Sequence, residues 1–165
     1  VTGEQRFEAA VRRDGPALLG YLTRRTDAPE DAADLLAEVF ATAWRRVADL
    51  PPGDEARLWL YGIARRTLAN HRRGRVRRHR LAARLREHLA ARADGGDDPD
   101  DRVRDALRAL SDRDREVLTL TAWEQMTPAE IAVVLDLDPG TVRARLSRAR
   151  ARLRAALEKA DARAG

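Results

Sequence analysis

The sequence predicts an all-α protein: two small helical domains joined by a flexible acidic linker, the C-terminal one a helix-turn-helix domain. Three observations predict it. Apolar residues recur at helical spacing in both halves. Strand signals are missing, since β-branched residues are scattered and no turn pair sits between alternating runs. Residues 93–102 hold five Asp, paired Gly and a Pro beside almost no apolar side chain, so this segment cannot join a core and reads as a tether. The expected divisions are an N-terminal domain over 1–80, a linker over 81–101 and a C-terminal domain over 102–165.

In the first domain Phe7, Ala10 and Val11 begin an amphipathic helix, Gly15-Pro16 is expected to interrupt it, and Leu18, Leu19 and Leu22 continue it. Asp27-Ala-Pro-Glu-Asp31 is a helix start, with an N-cap at Asp27 or Ala28 and acids facing the positive end of the dipole. Leu35, Leu36, Val39, Phe40, Ala43, Trp44 and Val47 then recur at helical spacing and predict a helix over roughly 29–48. Pro51-Pro52-Gly53 is a hard break. A further helix from about Asp54 carries Leu58, Leu60, Ile63, Ala64 and Leu68, and its apolar face fails near Asn70.

The second domain holds three or four short helices. One covers about 101–110; another follows Ser111, which has capping-box spacing to Asp114. Thr127-Pro128-Ala129-Glu130 supplies an N-cap, a proline at the first helical position and a glutamate at the third. After a short turn, Asp138-Pro139-Gly140-Thr141 repeats the grammar. Val142 and Leu146 face inward, and Leu137 plugs the angle between the helices. This is the pattern of a helix-turn-helix, whose second helix enters the DNA major groove. An ordinary αα-hairpin is the competing reading.

Charge placement separates the two. Arg143, Arg145, Arg148, Arg150, Arg152 and Arg154 occur with no acid between 141 and 157. A merely solvated helix mixes both signs to gain pairs three and four residues apart, whereas an all-positive helix repels itself unless a polyanion neutralises it. Thr141, Arg143, Ala144, Ser147 and Arg148 form the outward reading face. Arg150 and the remaining arginines suit phosphates. A second basic run, ten arginines and no acid from 65 to 86, follows Trp59 and Tyr61. Cations beside aromatics suit single-stranded nucleic acid, although Trp59 also fits a core position.

At 44% hydrophobic and 36% charged residues, the 165-residue chain is too apolar for wholesale disorder and too charged for a membrane protein. No run approaches the roughly 20 apolar residues needed to span a bilayer, and the opening residues lack the apolar core of a signal peptide. Membrane insertion is therefore not expected, and a soluble intracellular protein is. No cysteine is present, and His71, His79 and His88 lie eight and nine residues apart, off the spacing that pairs ligands on one helix face. With no phosphate-binding glycine loop and no nucleophilic constellation, neither metal, cofactor nor enzymatic activity is expected.

Four ordered blocks, Asp34–Trp44, Trp59–Asn70, Leu110–Leu118 and Gly140–Arg150, resemble the bacterial extracytoplasmic-function sigma factors, small two-domain members of the primary sigma family. The resemblance implies a cytoplasmic promoter-specificity subunit of RNA polymerase. By resemblance, the helix bearing Asp31, Asp34, Leu35 and Glu38 docks on the β′ clamp helices of core polymerase, with the β subunit a further contact. Asp31, Asp34 and Glu38 make one acidic stripe, while Ala37 stands where the family often has glutamine. The resemblance also assigns minus-ten recognition and melting to the helix carrying Arg65, Arg66, Asn70, Arg72 and Arg73, with Asn70 aiding a flipped base. Minus-thirty-five recognition falls to the helix-turn-helix, and control to an anti-sigma factor. A conventional helix-turn-helix repressor or activator acting without polymerase is the alternative.

Overall fold

A computed structural model describes residues 2–86 and 99–164, and among these every regular element is helical. The chain divides into two units, Val1–Ala91 and Arg92–Gly165. The first holds α1 (Gly3–Thr23), α2 (Pro29–Arg45), a short 3-10 turn (Val47–Asp49) and α3 (Glu55–Arg86). The second holds α4 (Pro99–Arg108), α5 (Asp112–Ala122), α6 (Pro128–Leu135) and α7 (Pro139–Ala164).

In the first unit α1 starts earlier than its apolar stripe suggests. The Thr2 hydroxyl accepts from Gln5 N–H while the Gln5 side chain accepts from Thr2 N–H, a complete capping box. The interruption expected at Gly15-Pro16 does not occur, and α1 runs straight through Pro16. Pro16 and Arg12 are both exposed, so the missing Pro16 N–H lies on the outer side of the helix, away from the core. Gly15 is buried against α2, where a Cβ would meet the Phe40 ring at an ordinary contact distance of 3.5 Å. Leu18, Leu22, Ala32, Val39, Ala43, Leu60, Tyr61 and Ala64 close the three-helix core, with Tyr21 edge-on to Tyr61 at 5.4 Å. The Arg13 guanidinium grips both carboxylate oxygens of the buried Asp14 and donates to the Gly53 carbonyl, tying α1 to the turn that launches α3. Gly53 takes φ 59°, a left-handed conformation suited to glycine.

In this unit one open alternative is decided and one expectation changes. Ala28, with no side-chain hydrogen bond, is the N-cap of α2; Asp27 instead pairs with Arg75 on α3. The helix whose apolar face is expected to fail near Asn70 continues to Arg86, six residues into the span expected to be linker. Its apolar face does end there, for no described side chain beyond Leu68 is buried. Arginine, alanine and leucine, which dominate the sequence of this stretch, are good helix formers. Of the rest of the expected linker, 87–98 lies outside the described residues, and 99–101 are helical as the first residues of α4.

In the second unit Ser111 caps α5 through Asp114 N–H, but the box is half-made. The Asp114 carboxylate turns inward and pairs with Arg152 of α7. Thr127 and Glu130 complete a reciprocal box at α6. That helix ends with Asp136 at φ 53°; Asp136 N–H bonds the Val133 carbonyl and Leu137 N–H the Ala132 carbonyl, the two bonds of a Schellman turn. Asp138 then caps α7 by accepting from Thr141 N–H at 3.0 Å. Val142, Leu146 and Ala149 bury the inner face of α7 against Val117, Leu120, Ile131 and Ala132.

Burial would raise the Asp114 carboxyl, but hydrogen bonds with Arg152 and Ser111 and the charges of Arg152 and Arg145 outweigh it and hold the group below the usual carboxylate range. The stability this adds is present above the unfolded value of about 3.9 and is lost as pH falls through the lower folded value. Arg152→Ala is expected to lower the protection of α7 amides in hydrogen exchange by about 1–3 kcal/mol near neutral pH. The gap from the unaltered protein should close as Asp114 protonates, below about pH 4.

Candidate nucleic-acid interface

The recognition face rests on the burial pattern of α7. With Val142, Leu146 and Ala149 inside, Thr141, Arg143, Ala144, Ser147, Arg148 and Arg150 all come out exposed on the helix that follows the Schellman turn. Arg143 and Ser147, and Ala144 and Arg148, are four residues apart, so they line one side within reach of a groove. Two arginines leave the expected phosphate set. Arg152 is committed to Asp114, and Arg145 is half-buried with its charge acting on the same carboxylate.

On α3 the residues read for single-stranded DNA divide. Arg66, Asn70, Arg72 and Arg73 are exposed, and the Arg73 guanidinium donates to the Asn70 side-chain oxygen. Arg65 is half-buried. Trp59 is half-buried with the Arg46 guanidinium 5.7 Å from its ring centroid, so one ring surface remains near a cation. Tyr61 is a correction: only 1% exposed, it is a core residue and offers no face for stacking. Its neighbours Leu60, Ile63 and Ala64 already marked a helix face turned inward.

The acidic stripe on α2 divides similarly. Asp34 and Glu38 are exposed on the outer face. Asp31 is half-buried and looks across to α3, where His71 Nε2 stands 3.8 Å from its carboxylate. Leu35 is the second correction. It is 4% exposed and faces the core beside Ala32 and Val39, so it holds α2 in place and is not available to a partner. The Asp27–Arg75 and Asp31–His71 contacts, which join the start of α2 to the middle of α3, had no signal in the sequence beyond opposite charge. Among the described residues no cluster of His, Asp or Glu is arranged to hold a metal ion, and no helix is long and apolar enough to cross a membrane.

These surfaces coincide with known sequence regions. Residues 10–78 match the family described as Sigma-70 region 2, and residues 100–153 match Sigma-70, region 4. RNA polymerase sigma-E factor of Streptomyces avermitilis is 35% identical over 162 residues, spanning 94% of this chain and 87% of its own. The chain belongs to the extracytoplasmic-function sigma factors. RNA polymerase sigma factor CnrH of Cupriavidus metallidurans is 33% identical over 172 residues, with 95% of this chain and 90% of that protein covered. The solved structure of CnrH with the cytosolic domain of CnrY superposes at a TM-score of 0.66 and 28% identity, covering 94% and 90% of the two chains. The sigma factor RpoE of Bartonella quintana, solved with the anti-sigma factor NepR, shares the fold at a TM-score of 0.63. In this sigma factor the region 2 match includes α2 and α3 through Arg78, while the region 4 match contains α6 and α7 as far as Leu153, the exposed set from Thr141 to Arg150 included.

The two positions of α2 separate by measurement. Leu35→Ala is expected to destabilise the first unit by about 2–5 kcal/mol through a core cavity, whereas Glu38→Ala should stay within about 0.5 kcal/mol in chemical denaturation.

Proposed function

We propose that this sigma factor acts in the cytoplasm by joining core RNA polymerase through Asp34 and Glu38 on α2. Arg66, Asn70, Arg72 and Arg73 on α3 then hold the minus-ten element as it opens. Thr141, Arg143, Ala144, Ser147, Arg148 and Arg150 on α7 read the minus-thirty-five element as duplex. The N-terminal unit performs docking and minus-ten recognition, the C-terminal unit upstream recognition, and the chain between them is the linker. The observation that carries the reading is the presence, in two separate units, of an exposed arginine face with no acid along it, one on a helix-turn-helix and one behind a half-buried tryptophan.

Each face has its own chemistry. On α7, Arg143 and Arg148 present forked donors that match guanine in the major groove, while Ala144 and Ser147 leave space for base edges. On α3, extracting a base costs a few kcal/mol of stacking, which Asn70 and the flanking guanidiniums offset by binding the flipped base and its phosphates. Arg73 holds the Asn70 amide in advance, limiting its freedom before DNA arrives. On α2 the acidic pair suits a basic helical partner, and the β′ clamp helices of core polymerase fit that description, with the β subunit a further contact. The chain supplies promoter choice and strand opening, and polymerase supplies the chemistry, so the chain itself is not an enzyme. An anti-sigma factor covering one of these faces is its regulator; RpoE of Bartonella quintana is solved with such a protein.

The test is binding to promoter duplex with and without polymerase. The chain alone should bind poorly and without a palindromic preference, and reconstituted holoenzyme should bind tightly. Tight dimeric binding by the free chain would instead identify a conventional repressor or activator. Replacing Asp34 and Glu38 together by Ala should weaken core-polymerase affinity several-fold with unchanged fold stability, and an unchanged affinity would remove the acidic face from docking. Arg148→Ala should cost about 1–3 kcal/mol at one upstream base position and relax selectivity there. Equal loss on every sequence would reduce it to a phosphate contact.

A further inference from the structure

Two glycines interrupt the interior of α3, Gly62 and Gly74, and each weakens the helix relative to alanine. No packing inside the chain requires either, because a Cβ at each position would meet nothing within 4 Å. Their surroundings differ. At about 100° per residue, Gly62 lies diametrically opposite the buried side chains of Leu60, Ile63, Ala64 and Leu68, at the centre of the outer face of α3. One turn towards the helix start are the half-buried Leu58 and Trp59, and one turn towards its end are the half-buried Arg65 and the exposed Arg66. Gly74 has no ring beside it, for from 62 to 86 the chain contains no Phe, Tyr or Trp.

Where one turn of a helix lacks a side chain, a flat group can come down to the backbone. From Trp59 to Arg66 α3 rises about 10 Å, and the missing side chain at Gly62 opens that interval, which exceeds the roughly 3.4 Å thickness of a stacked base. A ring at one end offers a stacking partner and guanidiniums at the other meet phosphate, the combination that holds single-stranded nucleic acid. No acid lies between 59 and 73 to repel the backbone of such a strand. We infer that Gly62 is the floor of a seat for one unstacked base of the opened strand, between Trp59 and Arg66. The inference deepens the reading above and rests on its assignment of α3 to the opened element. It adds that the helix forgoes stability at Gly62 so that a base can lie against it. The seat is contained within one helix of the first unit.

The experiment uses the full chain at low salt with two 20-nucleotide probes, oligo-dT and an abasic oligomer carrying the same phosphates, together with thermal unfolding. All variants are built in an Arg143→Ala/Arg148→Ala background so that α7 does not mask α3. Gly62→Ala should raise Tm by about 2–8 °C, since it removes a helical glycine without a clash. It should nevertheless weaken oligo-dT binding about fivefold, the lower end of what stacking one base is worth, and leave abasic binding within about twofold. Gly62→Leu should weaken oligo-dT binding further, by about tenfold or more. Gly74→Ala should raise Tm similarly and leave both affinities in place. A Gly62→Ala chain that keeps its oligo-dT affinity, loses affinity for both probes alike, or loses stability and affinity together would overturn the seat. So would a background chain that holds oligo-dT no more tightly than the abasic oligomer. Arg66→Ala with Arg73→Ala separates the seat from the reading beneath it. If that pair weakens oligo-dT binding and Gly62→Ala does not, the seat falls alone; if neither does, α3 has no part in strand binding and the reading falls with it.

Discussion

Like-sign charge that the chain does not neutralise is the constraint from which the rest of the structure follows. Arginines succeed one another along the exposed faces of α3 and α7, with no acid from 65 to 86 or from 141 to 157. In water each such helix carries a field that disfavours its own formation, and only an external polyanion offsets it fully. The fold must therefore hold the two helices from their other sides. It does so with apolar stripes and with a few opposite charges placed at their edges.

Those supports differ between the units. α7 is held along its inner face by Val142, Leu146 and Ala149, at its start by the Asp138 cap, and further on by the Asp114–Arg152 pair. A buried carboxylate thus spends one arginine of the recognition helix on fixing its angle and leaves the outward ones free to meet DNA. α3 is held by Leu60, Ile63, Ala64 and Leu68, then by the ion pair of Arg75 with Asp27 just before α2, with the Asp31 carboxylate 3.8 Å from His71 Nε2. The start of α2 is thereby joined to the mid-length of α3. The tie from Arg13 to Asp14 and the Gly53 carbonyl fixes the turn from which α3 departs.

Much of this is legible in the sequence, for identifiable reasons. Local grammar carries furthest: Thr127-Pro128 and Asp138-Pro139 mark the two helix starts of the helix-turn-helix, and the outward set from Thr141 to Arg150 follows from the inward spacing of Val142 and Leu146. Thr2 and Gln5 carry an equally plain capping signal that a reading anchored on Phe7 passes over. Where the reading fails, tertiary packing or solvent decides. Pro16 lies on a wet face, so a residue that ordinarily breaks a helix does not break α1. The periodic apolar signal reports burial and not helicity, so it ends at Leu68 while the helix does not. Leu35 and Tyr61 show the converse error, because a residue inside a functional motif can serve only the core. Pairings such as Asp114 with Arg152, 38 positions apart, need the folded chain to be seen.

A promoter-specificity subunit must both join the polymerase and choose the start, and one assay joins the two demands. Run-off transcription from genomic fragments of the source bacterium, with purified core polymerase and this chain, tests the account most directly. The account predicts discrete transcripts that require the chain and share two upstream elements at a fixed separation. Stable association with core polymerase that directs no initiation, or transcripts identical with and without the chain, would contradict it.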